Sequence, residues 1–133
     1  MADYNLSTLR VFRQILQRRG FNVDTAKDGE EAKQKMRSKR FDAVLISFAL
    51  PDMDGIDLLL FTSKTLPNAA KIIATNFPSL GNDVKAIEAG ADACFSKPVG
   101  PEELILVVEN KLEQMRQKNK LSKPTKSPNA TRR

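Results

Sequence analysis

Apolar positions along the chain switch between two periods, and each switch marks an element. From Leu6 to Arg19 they recur at three- and four-residue spacings (Leu9, Phe12, Leu16; Val11, Ile15). That is the stripe of an amphipathic helix, ended by Gly20. Phe21–Thr25 alternates apolar and polar residues, which predicts a short strand with one wet face. Asp28-Gly29 opens a helix over Glu30–Ser38 that has only Ala32 and Met36 to bury. Ala43–Ile46 is an apolar run too short for a helix and reads as a buried strand ending at Ser47. Pro51 and the Asp54-Gly55 pair force a turn, and Ile56, Leu58, Leu59 and Phe61 begin a helix that Pro67 and Asn68 break. Lys71–Thr75 is another buried strand, Asn82–Ala89 a short helix stopped by Gly90, and Asp92–Ser96 a strand. Pro101-Glu102-Glu103 starts a last helix through Leu104, Val108, Leu112 and Met115, with proline early and acids in the first turn.

Five helices alternating with four strands over short connections predict a parallel sheet covered by helices on both faces. In such a sheet, ligands and chemistry sit at the carboxyl ends of the strands. The stretch Phe41–Gly55 supplies a strand, a sharp turn and a helix, and Ser47 stands at the strand's carboxyl end.

Composition narrows the picture. The chain has 133 residues, enough for one domain with a real core, and no apolar run near the roughly 20 residues that span a bilayer. It shows no secretion signal. One cysteine, Cys94, cannot form an internal disulfide, which suits a reducing cytoplasm, and zero histidines argue against a zinc site. The net charge of +6 is unevenly placed. Residues 1–115 hold 15 Lys/Arg and 16 Asp/Glu, whereas residues 116–133 hold 7 Lys/Arg and no acid. We therefore expect a folded domain over residues 1–115 and a basic, disordered tail over 116–133.

Four segments now stand out together: Asp28-Gly29-Glu30-Glu31-Ala32, Leu50-Pro51-Asp52-Met53-Asp54-Gly55, Ala89-Gly90-Ala91-Asp92 and Ser96-Lys97-Pro98. In order and spacing the chain resembles bacterial two-component response-regulator receiver domains from about Asp3 to Met115. The resemblance implies a flavodoxin-like, three-layer α/β/α parallel sheet that accepts a phosphoryl group from a histidine kinase. It also implies five functional parts: a carboxylate nucleophile, two acids that hold Mg²⁺, a Ser/Thr hydroxyl and a lysine.

Laid on this chain, those parts are incomplete. Thr75 and Lys97 fill the two phosphoryl-binding positions. Ser47 fills the phosphoacceptor position, where a hydroxyl without a neighbouring base is a poor nucleophile. The acidic pair falls on Asp3 and Tyr4, leaving Asp3 as a single weak metal ligand, so Mg²⁺ binding is expected to be lost. The switch position, usually aromatic, is Cys94. Asp52 and Asp54 are read as turn residues rather than stand-in acceptors, and Lys97 as a structural partner of Asp3.

The resemblance also implies that the first, central strand is missing ahead of Asp3. Three outcomes are open: Phe21–Thr25 closes directly onto Ala43–Ser47, another chain fills the slot, or the true start lies upstream, which is the preferred expectation. The function expected is that of a degenerate receiver with no catalytic residue and no cofactor, which binds a histidine kinase or downstream signalling protein without a phosphorylation switch. A homodimer is an open possibility, and no membrane is involved. The alternatives are a working phosphoacceptor, or nucleic-acid binding through the tail, which lacks aromatics for stacking on bases.

Overall fold

The computed structural model describes residues 1–3, 5–76, 80–97 and 100–122. Its elements run α1 (Leu6–Arg18), α2 (Gly29–Ser38), β1 (Ala43–Ser47), α3 (Gly55–Thr65), β2 (Ala70–Thr75), α4 (Leu80–Glu88), β3 (Ala93–Ser96) and α5 (Pro101–Ser122). The strands form one parallel sheet in the order β1-β2-β3, with Ile46 beside Ile73 and Ile73 beside Cys94.

Local chemistry sets the helix starts. The Asn5 side chain accepts from the Thr8 N–H at α1, Asp28 from Glu31 at α2, and Asp54 from Ile56 at α3. α1 ends at Arg19, and Gly20 follows with a φ of 93°, a left-handed conformation that costs glycine least.

β2 is buried at every position, as a central parallel strand covered on both faces must be. Strand alternation then divides its core in two. Ile73 packs with Val44, Ile46, Leu58 and Leu59 toward α2 and α3, and Ile72 packs with Leu104 and Val108 toward α5 and α1. The three-layer α/β/α arrangement follows. Ile46, Leu58, Leu59, Ile72 and Leu104 are essentially fully buried, each stabilising the fold by about 1.5–3 kcal/mol.

Two expectations need correction. Phe21–Thr25 is not a strand, so three strands are present among the described residues rather than four. Nor does this segment close onto β1. Met1–Asp3 lies between them: Ala2 exchanges backbone hydrogen bonds with Leu45 and Ser47 (both 2.9 Å) on one side. On the other side Ala26 bonds Met1 and Asp3 (2.8 and 3.0 Å). A strand needs a ladder partner, and these three residues reach only Ala26, one position past the expected strand. The second correction concerns α5, which continues beyond the expected end at Met115 to Ser122. The remainder of the expected tail, 123–133, lies outside the described residues, as does Pro98.

Candidate functional site at the carboxyl ends of the strands

β1, β2 and β3 end side by side, which brings Ser47, Thr75 and the residue after Ser96, Lys97, to one edge of the sheet. The Lys97 backbone N–H donates to the Thr75 carbonyl (2.7 Å), fixing where the lysine leaves the strand. Its side chain turns inward. Lys97 Nζ donates to Asp3 Oδ2 at 2.8 Å and to Ser47 Oγ at 2.9 Å. Asp3 enters from the amino-terminal segment held by Ala2, and its other oxygen accepts from the Asn5 N–H at 3.0 Å. The Asp3 and Lys97 side chains are 9% and 17% exposed, so the ion pair is largely removed from water. Ser47 and Thr75 are buried, and Thr75 and Lys97 are both engaged by further contacts.

Beside this constellation lies a cavity of about 290 Å³, lined among others by Asp3, Asn5, Phe12, Ser47, Asn76 and Lys97. Asn5 and Asn76 were not singled out from sequence. Asn5 is legible after the fact, because an asparagine directly before an apolar-periodic run is a helix-cap signal.

The chemistry available here is limited. The Ser47 hydroxyl donates to the Ala49 carbonyl (3.2 Å) while accepting from Lys97, so the lysine acts on it as a donor rather than a base. With zero histidines in the chain, the usual activating base for a serine is missing. A hard cation such as Mg²⁺ requires several oxygen ligands with negative charge. The residues present do not fit it: Asp3 is one carboxylate already paired with Lys97, and among the described residues no group of three or more His, Cys, Asp or Glu could hold a metal. Tyr4 lies outside the described residues.

The other residues singled out from sequence lie outside this cluster. Asp52 accepts from the Gly29 and Glu30 N–H groups at 2.8 and 2.9 Å, tying the loop after β1 to the start of α2. Those hydrogen bonds, Gly29 first, hold its carboxyl below the usual carboxylate range. Asp54 caps α3 through the Ile56 N–H. Cys94 is half-buried beside Ile73, and burial, then the Asp83 charge, pushes its thiol up, away from the reactive thiolate. Gly55 packs so tightly that a methyl group there would collide with the Ser47 carbonyl and the Phe48 backbone.

A parallel three-layer fold with its polar cluster at the strand ends defines a flavodoxin-like domain, and comparison with known proteins gives the family. The response regulator receiver domain model matches residues 1–109, and the chain belongs to that family. Among solved structures it is similar to the CheY-like response regulator receiver domain protein from Methanospirillum hungatei JF-1, at 34% identity and a TM-score of 0.85, covering 88% of this chain and 94% of that one. It is also similar to the signal receiver domain of an HD domain-containing protein from Pseudomonas fluorescens Pf-5, at 30% identity and a TM-score of 0.81, covering 87% and 94%. Curated relatives include the transcriptional regulatory protein ZraR of Klebsiella oxytoca, 29% identical over 87% of this chain and 26% of that protein. ResD of Bacillus subtilis is 30% identical over 97% of this chain and 53% of that protein. The chain thus spans between about a quarter and about half the length of these regulators. No helix among the described residues is long and apolar enough to cross a membrane.

Proposed function

We propose that this receiver domain has left phosphotransfer and works in two-component signalling as a protein-binding module without enzymatic activity or a resident Mg²⁺. One observation carries the reading: Lys97 bridges Asp3 and Ser47, so the acceptor position holds a buried hydroxyl and the remaining acid is neutralised by the lysine. A phosphoryl group arriving here meets neither a carboxylate nucleophile nor a metal to spread its charge. The partner is a histidine kinase or a downstream signalling protein in the cytoplasm, docking on exposed apolar side chains of α4 and α5. Val84, Ile87 and Leu106 are 45%, 64% and 67% exposed.

Incubation with acetyl phosphate and Mg²⁺, followed by intact-mass measurement, tests the reading. No mass gain is expected. Gain of one phosphate that hydroxylamine removes would mark a working acyl phosphate and overturn it; a hydroxylamine-stable gain lost in Ser47→Ala would show a serine acceptor and do the same.

A further inference from the structure

Between β1 and the segment 21–25 the sheet has an open groove of about 620 Å³. Met1–Asp3 closes only its carboxyl-terminal end. On the β1 wall, the Leu45 carbonyl and the Ser47 N–H face this side and are taken by Ala2. Strand alternation turns the Leu45 N–H and both backbone groups of Ala43 the same way. On the opposite wall the Asp24 carbonyl accepts from the Met1 amino group (2.9 Å), and the same alternation brings the Asp24 and Asn22 N–H groups toward the groove. Among the described residues, the N–H groups of Asn22, Asp24, Ala43 and Leu45 have no hydrogen-bond partner. Buried backbone groups are rarely left so.

The groove is also apolar. Leu16, Phe21, Ile72, Leu104, Val108 and Leu112 line it. Its inner end is marked by the Met1 amino group, which no carboxylate contacts, since it bonds only the Asp24 backbone carbonyl. Burial, partly offset by the Asp24 charge, pushes that amine down to about 6, and the Lys35 charge adds to the lowering.

We propose that this groove receives the apolar carboxyl-terminal tail of a partner protein as a parallel strand, its terminal carboxylate seated against the Met1 amino group. The ladder begun by Ala2 fixes direction and register. About four residues, at about 3.3 Å each, satisfy the four open N–H groups. Both faces of the incoming strand are covered, so successive side chains are apolar rather than alternating. The carboxylate supplies the counter-charge that the buried amine lacks. This assignment does not depend on whether Ser47 takes phosphate.

The test uses the full chain with Met1 retained, as checked by intact mass. The probe is the peptide acetyl-Lys-Lys-Val-Ile-Val-Val with a free carboxylate, compared with its carboxyl-terminal amide, by nitrogen-15 NMR and amide exchange. The expected result is protection of the Asn22, Asp24, Ala43 and Leu45 amides, with the acid binding at least about tenfold more tightly than the amide. Equal affinity of acid and amide, or no change at those four amides, overturns the proposal. A third arm fuses the same residues ahead of Met1. If the fused strand closes the groove while the free acid does not bind, the groove completes its own chain rather than receiving a partner. Protection of the four amides that rises with protein concentration alone assigns it to a second copy and overturns the proposal equally.

Discussion

Replacing Lys97 by methionine isolates the interaction on which the site reading rests. The substitution keeps most of the apolar stem and removes the charge that sits 2.8 Å from Asp3 and 2.9 Å from Ser47. Asp3 would keep the Asn5 N–H and nothing else described at this site. Removing one partner of a fully buried pair costs about 3–5 kcal/mol, because an uncompensated charge stays behind. Here the penalty is capped. The carboxylate is 9% exposed and belongs to a three-residue segment, so it can swing into water at the cost of the Ala2 and Asp3 backbone bonds. Those bonds contribute about 0.5–1.5 kcal/mol each. The expected loss is therefore about 2–4 kcal/mol, read as a fall in urea midpoint at unchanged slope. Asp3→Asn should cost less, about 1–2 kcal/mol, since the lysine, at 17% exposure, has a shorter path to solvent. The double variant should cost less than the two singles added, because neither charge is then stranded. A loss under about 0.5 kcal/mol for Lys97→Met, with single effects that simply add, would refute the pair as a structural feature. Lys97 would then be poised for an anion, as in a working receiver.

Three further outcomes follow from the same geometry. The Met1 amine is lowered from 8.0 to about 6 in the fold. The unfolded chain therefore binds more protons between those values, and stability should fall by about 2–3 kcal/mol as pH drops from 8 to 6, an effect that Nα-acetylation removes from the melting curve. Ser47→Asp sets a second carboxylate beside Asp3 with one lysine between them, and should destabilise the metal-free protein by about 1–2 kcal/mol. Mg²⁺ should then raise the Tm of that variant and leave the parent unchanged; equal Mg²⁺ responses would show that the parent site already binds the ion. Gly55→Ala should cost about 1–3 kcal/mol by forcing the β1–α3 turn apart, and a melt within a degree of the parent would show that the turn yields.

The limits of reading this fold from sequence lie where an element depends on a distant neighbour. Ala43–Ser47 and Lys71–Thr75 were legible because continuous apolar runs suit strands covered on both faces, and both formed. Phe21–Thr25 carries an equally plain alternation and did not form, because alternation states only which face is dry. Pairing requires a backbone on the adjacent track, and that track is occupied only from Met1 onward. The end of α5 was misplaced for a related reason: the apolar stripe stops at Met115, yet Lys and Gln sustain a helix that no longer packs. The cluster of Asp3, Ser47 and Lys97 could be assembled only through the family resemblance, since no local pattern links residues 94 positions apart. The individual roles of Asp52 and Asp54 were nearer the surface of the sequence, as acids in a turn, though only the fold shows Asp52 reaching back to the start of α2. One physical circumstance joins these successes and failures. The amino-terminal segment contributes Asp3 to the polar cluster and Ala2 to the sheet, so anything that completes the groove behind it also sets how firmly the Lys97 bridge is held.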